Sequence, residues 1–260
     1  MKILGIDTAT PVASVALVDE GALVWERSSP DFAPDPLRPP ARANHAETLF
    51  ALIQDLVRDV HLSWEELSAI AVTVGPGSFT GLRIGLSAAK GLAFGWDVPV
   101  VGVSTLLAVS YLAGTGWTGW ICPLLDAKKG EVYTALFRQE RESIHRAIED
   151  LVARPEDALQ RVFSMTRQDP CLFIGEGSKL YADRISSSLG SSASIAADAF
   201  GHSVAFGAAS IGQQAVGDRP GGIAELLKPR YLRPAEAELD RNGAKKPDSN
   251  AHEPLTKTTP

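Results

Sequence analysis

The sequence predicts a two-domain α/β protein, and three observations carry the prediction. The chain opens with three short strand-like runs separated by turns. Apolar runs then alternate with amphipathic helical stretches, and after residue 105 a second series of the same kind begins. At 260 residues, 45% hydrophobic and 22% charged, the chain is long enough for two modest domains and has the composition of an ordinary globular protein.

Lys2–Ile6 ends at Asp7, Ala13–Asp19 reads as a second strand, and Ala22–Arg27 follows a Glu20-Gly21 turn, which predicts an antiparallel meander. Residues 29–43 contain five prolines and exclude helix or central strand, so they form a loop. Asn44 is an N-cap with Glu47 as its capping-box partner, opening a helix to about Val60. Ala69–Val74 is a buried strand broken by Gly75-Pro76-Gly77. A helix from about Thr80 to Gly95, capped by Ser78 or Thr80, and a strand at Val98–Val103 follow. The order β-β-β-α-β-α-β is the half-fold of actin-like ATPases (the ASKHA, ribonuclease H-like class).

In the second series, Ile121–Leu125 and Glu131–Phe137 form a hairpin around Asp126–Gly130. A helix at Pro155–Val162, a strand at Cys171–Gly175 and a helix near Ser203–Val216 complete it. The polar, aperiodic stretch Glu236–Pro260 reads as a disordered tail. The expected division is therefore 1–105, 106–235 and a tail at 236–260.

A formal charge of −6, with no Lys/Arg run, argues against a direct grip on nucleic acid, which needs a concentrated basic face. Cys122 and Cys171, both in apolar strands, are too few for a disulfide framework or a zinc site and read as buried structural thiols. Asp7 interrupts the apolar N-terminus before a signal-peptide core is complete, and no run reaches the roughly 18–20 apolar residues of a membrane span. A cytoplasmic protein is expected, with no membrane association.

Five segments together carry a family resemblance. They are Ile3–Thr10, Asn44–Glu47, Val74–Gly85 (containing Gly-Pro-Gly-Ser-Phe-Thr-Gly-Leu-Arg, the most specific), Asp126–Tyr133 and Pro229–Arg233. In these the chain resembles the TsaB (YeaZ) family across nearly all of its ordered length. The resemblance implies a two-domain actin-like fold without catalysis or cofactor. It also implies a partner of the same fold, TsaD, which carries the metal and active site, and a small ATPase, TsaE. With the carbamoyl-adenylate made by TsaC, such a complex installs threonylcarbamoyl groups on tRNA adenosine next to the anticodon. The tRNA would be met only through the complex, and the resemblance leaves both monomer and homodimer open for the chain alone.

The nucleotide-site candidates are Asp7, Thr8, Asp126, Gly175 and Gly177. In ATPases of this fold a first hairpin sets an Asp and a small-residue turn beside phosphate and metal, because backbone N–H groups must approach closely. Here the turn continues to Pro11, which has no N–H. Its Asp and Thr can equally satisfy local backbone groups. Asp126 with Lys128 and Lys129 falls where a second phosphate hairpin would lie, and also reads as a solvated turn. Gly175-Glu176-Gly177 follows a strand as an adenosine-side glycine pair would, a weak signal alone. The Gly75–Gly81 loop lacks the Lys of a phosphate-binding loop. Together these describe a degenerate nucleotide site. In the catalytic relative a His-x-x-x-His helix binds metal, but here His45 is followed four residues on by Leu49, which cannot chelate. That argues against a metallopeptidase. A small-molecule kinase or ATPase of the same superfamily is the rival reading.

The partner is expected on the two helices of the first half. Ala46, Phe50, Ile53, Val57 and Val60 form a stripe sufficient to face a sheet, and Leu49, Leu52 and Leu56 form a second stripe. In the next helix Leu82, Leu86, Ala89 and Ala93 make one stripe, and Ile84, Ala88 and Leu92 another. A helix apolar nearly all round is covered on more than one side. The expected interface is His45, Leu49, Leu52, Leu56, Leu82, Leu86, Ala89 and Ala93.

Overall fold

The structure is a computed structural model, and it describes residues 1–29, 45–141, 143–196, 202–218 and 227–233. The Pro-rich loop, the Asn44 cap and the C-terminal tail lie outside the described residues.

The first sheet is built from β1 (Lys2–Asp7), β2 (Ser14–Asp19), β3 (Ala22–Ser28), β4 (Leu67–Gly75) and β5 (Val100–Ser104), in the order β3-β2-β1-β4-β5. β1 to β3 pair antiparallel, while β4 and β5 continue the sheet in parallel. Helices α1 (His45–Val60) and α2 (Phe79–Trp96) make the crossovers. β1 alternates strictly. Leu4 and Ile6 join the core shared with α1 and α2, while Ile3 packs on the opposite face.

The second sheet repeats this plan. It comprises β6 (Gly119–Asp126), β7 (Val132–Glu140), β8 (Ser143–Ala153), β9 (Cys171–Ile174) and β10 (Ala193–Ile195), in the order β10-β9-β6-β7-β8. Again three strands pair antiparallel and two parallel. Helices α4 (Pro155–Thr166), α5 (Glu176–Leu180) and α6 (Ala182–Leu189) make its crossovers. Both halves therefore have the strand order of the actin-like fold.

Two helices lie between the sheets: α3 (Thr105–Tyr111) and α7 (Val204–Asp218). Ala108 of α3 and Ala208 and Ala209 of α7 pack with Ile3, Ala69 and Ala71 of the first sheet. On their other side Leu106, Val109 and Phe206 meet Ile121, Phe137 and Leu172 of the second. Ser14 Oγ accepts from Ala205 N at 3.2 Å, fixing the start of α7 against β2. The last helix, placed by sequence order in the second series, is thus part of the first sheet's cover.

The alternation in β8 escaped the sequence reading because Ile144, Ile148 and Leu151 fall at helical spacing. In the sheet its inward positions are Ile144, Arg146, Ile148, Asp150 and Val152, two of them charged. Those two satisfy each other: Arg146 pairs with Asp150 and lies over the Phe137 ring.

Candidate functional site

A cleft runs between the sheets, and the β1–β2 turn forms one wall. Asp7 at the end of β1 is fully buried. Its carboxylate accepts from Ala9 N at 3.0 Å, Thr73 Oγ1 at 2.6 Å and Thr10 N at 3.4 Å, and also from the Thr10 hydroxyl. Burial pushes this carboxyl above its ordinary value, and the hydrogen bonds oppose the shift. Thr8 Oγ1 donates to Gly81 O at 2.7 Å, and Ala9 O accepts from Ser78 N at 2.8 Å. A Cβ at Gly81 would stand 1.9 Å from Thr8 O, so only glycine lets α2 seat this close to the turn. Ser78, the expected cap, accepts from Gly81 N at 3.2 Å. The Asp7 and Thr8 side chains are engaged inside the protein, and neither residue lines the cleft.

The opposite wall is the β6–β7 turn. Asp126 accepts from Lys128 N at 2.8 Å and pairs with Lys128 Nζ at 2.7 Å. Partial burial works to raise its carboxyl, but the Lys128 amide and ammonium hold it below the usual value. Glu176 accepts from Asp126 N at 3.4 Å, and burial pushes its carboxyl up. Gly175 and Gly177 let the start of α5 lie on Leu124, where a Cβ at Gly175 would come 2.5 Å from the Leu124 carbonyl oxygen. The cavity between the walls holds about 470 Å³. It is bounded by Thr10 and Pro11, Asp126 and Lys128, Glu176, and the segment Arg230–Arg233. A second cavity of about 460 Å³ adjoins it across Thr10, Pro11, Leu125 and Glu176, and Gly175 lines it. Asp126 and Gly175 thus meet the turn around these adjoining cavities, whereas Gly177 is buried against Leu124 and lines neither.

No group of three or more His, Cys, Asp or Glu side chains that could hold a metal occurs among the described residues. Cys122 and Cys171 are free and buried. Burial raises the Cys122 thiol to about 12 and pushes the Cys171 thiol up as well, which suits inert core thiols. No described helix is long and apolar enough to cross a membrane.

The outer face of the first sheet's helices carries a groove of about 580 Å³ between α1 and α2. Here the expected rotation of both helices needs correction. Leu49, Leu52 and Leu56 lie in the core beside Ile53, and Leu82, Leu86, Ala89 and Ala93 are equally buried. None of these seven side chains is open to a partner. The open rows carry Phe50, 47% exposed, on α1, and Arg83, Ile84, Ser87 and Gly91 on α2, whose last turn also exposes Phe94 at 93%. Two adjoining apolar stripes do not say which one meets the sheet. Contacts to β3 fix the rotation of α1: Arg27 pairs with Asp55 at 2.9 Å and with Asp59 at 3.1 Å, and Trp25 Nε1 donates to Asp59 at 3.2 Å. His45 is the first residue of α1.

The segment Leu227–Arg233, of which the sequence shows Pro229–Arg233 only as a family motif, lines the cleft and reaches the groove through Phe79. Tyr231 stacks on Phe79 with ring centroids 4.7 Å apart, and Phe79 lines groove and cleft alike.

Comparison with known proteins places these features. A family model described as "TsaD: tRNA N6-adenosine threonylcarbamoyltransferase" matches residues 39–239. The tRNA threonylcarbamoyladenosine biosynthesis protein TsaB of Bacillus subtilis is 30% identical over 238 residues, covering 92% of this chain and 96% of the relative. The TsaB protein of Escherichia coli is 33% identical over 186 residues, 70% of this chain and 74% of the relative. Among solved structures, an uncharacterized Pseudomonas aeruginosa protein with similarity to peptidase YEAZ superposes with a TM-score of 0.72 at 27% identity, covering 89% of this chain and 99% of that one.

Proposed function

Since the chain belongs to the TsaB family of tRNA threonylcarbamoyladenosine biosynthesis proteins, we propose that it serves that pathway as a non-catalytic subunit that docks TsaD on the α1/α2 groove. The groove carries this reading. It is a concave surface on helices that are already packed underneath, and it exposes Phe50, with Phe94 also exposed on the same helix pair. TsaE joins the assembly through the pair, tRNA is met only there, and the chain pairs with itself when TsaD is absent.

The state of the cleft supports the non-catalytic part. Asp7 is engaged by Thr10, Thr73 and Ala9, the Thr8 hydroxyl is bonded to α2, and Pro11 has no N–H to offer a phosphate. The same features disfavour a small-molecule kinase or ATPase. Purified protein supplied with ATP, Mg²⁺, threonylcarbamoyl-adenylate and tRNA is expected to form no modified nucleoside until TsaD and TsaE are added. Product from this chain alone, or no complex with TsaD on size-exclusion chromatography, contradicts the proposal.

A further inference from the structure

Leu227–Arg233 touches three parts of the molecule within seven residues. Its backbone is fixed to the first sheet: Arg230 N donates to Val74 O at 2.7 Å. The Arg230 carbonyl fits only because residue 75 is glycine, whose Cβ would stand 2.5 Å from that oxygen, and Leu227 sits over Gly102 of β5 in the same way. One side chain reaches α2. Besides stacking on Phe79, Tyr231 accepts from Arg83 Nε at 3.1 Å through its hydroxyl, and the Arg83 guanidinium lies 3.9 Å from the Phe79 ring centroid. Two side chains reach the second sheet. Arg233 donates to Ala127 O at 3.1 Å and pairs with Glu131, both on the β6–β7 turn, and Arg230 lies 3.5 Å from Asp150 of β8.

We infer that this segment is a clasp coupling occupation of the α1/α2 groove to closure of the cleft between the sheets. The inference rests on the docking reading given above. Phe79 and Arg83 line the groove, so a partner seated there takes them out of water. Less water around Arg83 strengthens its bond to Tyr231 and its contact with the Phe79 face. Tyr231 is thereby held, and with it the arginines that pin the β6–β7 turn and β8 across the cleft. Coupling is reciprocal, so loosening the clasp weakens docking by the same factor that docking tightens the clasp, at least about fivefold for a coupling of ordinary size.

The test follows amide hydrogen exchange in the full chain with and without TsaD. In the wild type, TsaD slows exchange along residues 83–92 of the groove and also at residues 127–131 on the far side of the cleft. In Arg233→Ala the groove protection persists, the protection at 127–131 disappears, and TsaD binds about fivefold more weakly. Tyr231→Phe, which removes only the hydroxyl, shows the same change in smaller degree and guards against misfolding of the first variant. Groove protection with no change at 127–131 overturns the coupling alone, as does protection at 127–131 that survives Arg233→Ala. Absence of protection at the groove overturns the docking reading, and the clasp falls with it.

Discussion

The Ser104 hydroxyl, at the end of β5, donates a 2.9 Å hydrogen bond to Asp150 on the edge strand of the second sheet. Asp150 has a side chain 1% exposed and is also paired with Arg146. Ser104 caps α3 by accepting from Leu107 N at 3.3 Å. One buried carboxylate thus joins the two sheets and the helix between them.

Asp150→Ala strands Arg146 and cuts the Ser104 link. Breaking a buried pair costs about 3–5 kcal/mol, and because Arg146 keeps 21% of its side-chain surface in water the expected loss is about 2–3 kcal/mol. Urea unfolding of wild type and variant measures it. A loss below about 0.5 kcal/mol, the range of ordinary surface substitutions, refutes the role given to this carboxylate.

Charges introduced on the two rows of α1 separate docking from folding. Phe50→Glu and, on α2, Ser87→Arg stand on open rows and should leave the circular dichroism and melting temperature near wild type. Binding to TsaD should weaken about 30-fold or more, roughly the 2 kcal/mol expected of a central anchor. Leu52→Glu, in contrast, buries an unpaired carboxylate and should fail to fold. A folded Leu52→Glu protein, or unchanged TsaD binding by both open-row variants, disproves this assignment of faces.

Glu176 gives the protein a pH signature. Burial raises its carboxyl above the ordinary 4.5, so the folded state holds its proton more tightly than the unfolded state does. Its contribution is therefore most favourable below about pH 4.5 and declines as pH rises through the folded value. The unfolding free energy of wild type minus that of Glu176→Gln should fall between pH 4 and 7. A difference that is flat or rises with pH contradicts the buried setting of Glu176.

Free tRNA should bind poorly. Counterion release at Lys/Arg–phosphate contacts supplies most non-specific affinity, and a chain of charge −6 offers little of it. In a low-salt gel-shift assay the dissociation constant should stay above about 1 µM, the tight end of the non-specific range. A tighter constant for the isolated chain means that it holds tRNA directly.

The parts of the fold legible in the sequence are those with one clear period or one punctuating residue. The β1–β3 meander, the Gly75-Pro76-Gly77 break, the Ser78 cap and helix α2 fall within two residues of expectation. What failed depended on partners distant in sequence. β8 hid because its inward Arg146 and Asp150 look exposed until Phe137 of β7 and Ser104 of β5 are set against them. The rotation of α1 is set by Arg27 and Trp25 on β3, which no helical wheel contains. Likewise the site looked like a worn nucleotide loop, but only the structure reveals Asp7 and Thr8 turned away from the cleft and Arg230–Arg233 lining it.

The two helices between the sheets also set a timetable for synthesis. Ile3, Ala69 and Ala71 of the first sheet are covered by α7, which begins roughly 100 residues after β5 ends. At about 5–20 residues per second, the ribosome has finished the first sheet some 5–20 seconds before its second cover arrives. During that interval one apolar face is open, and the half-made protein is a client for whatever guards nascent chains. Its N-terminal half matures late, only when the C-terminal part of the chain returns to close it.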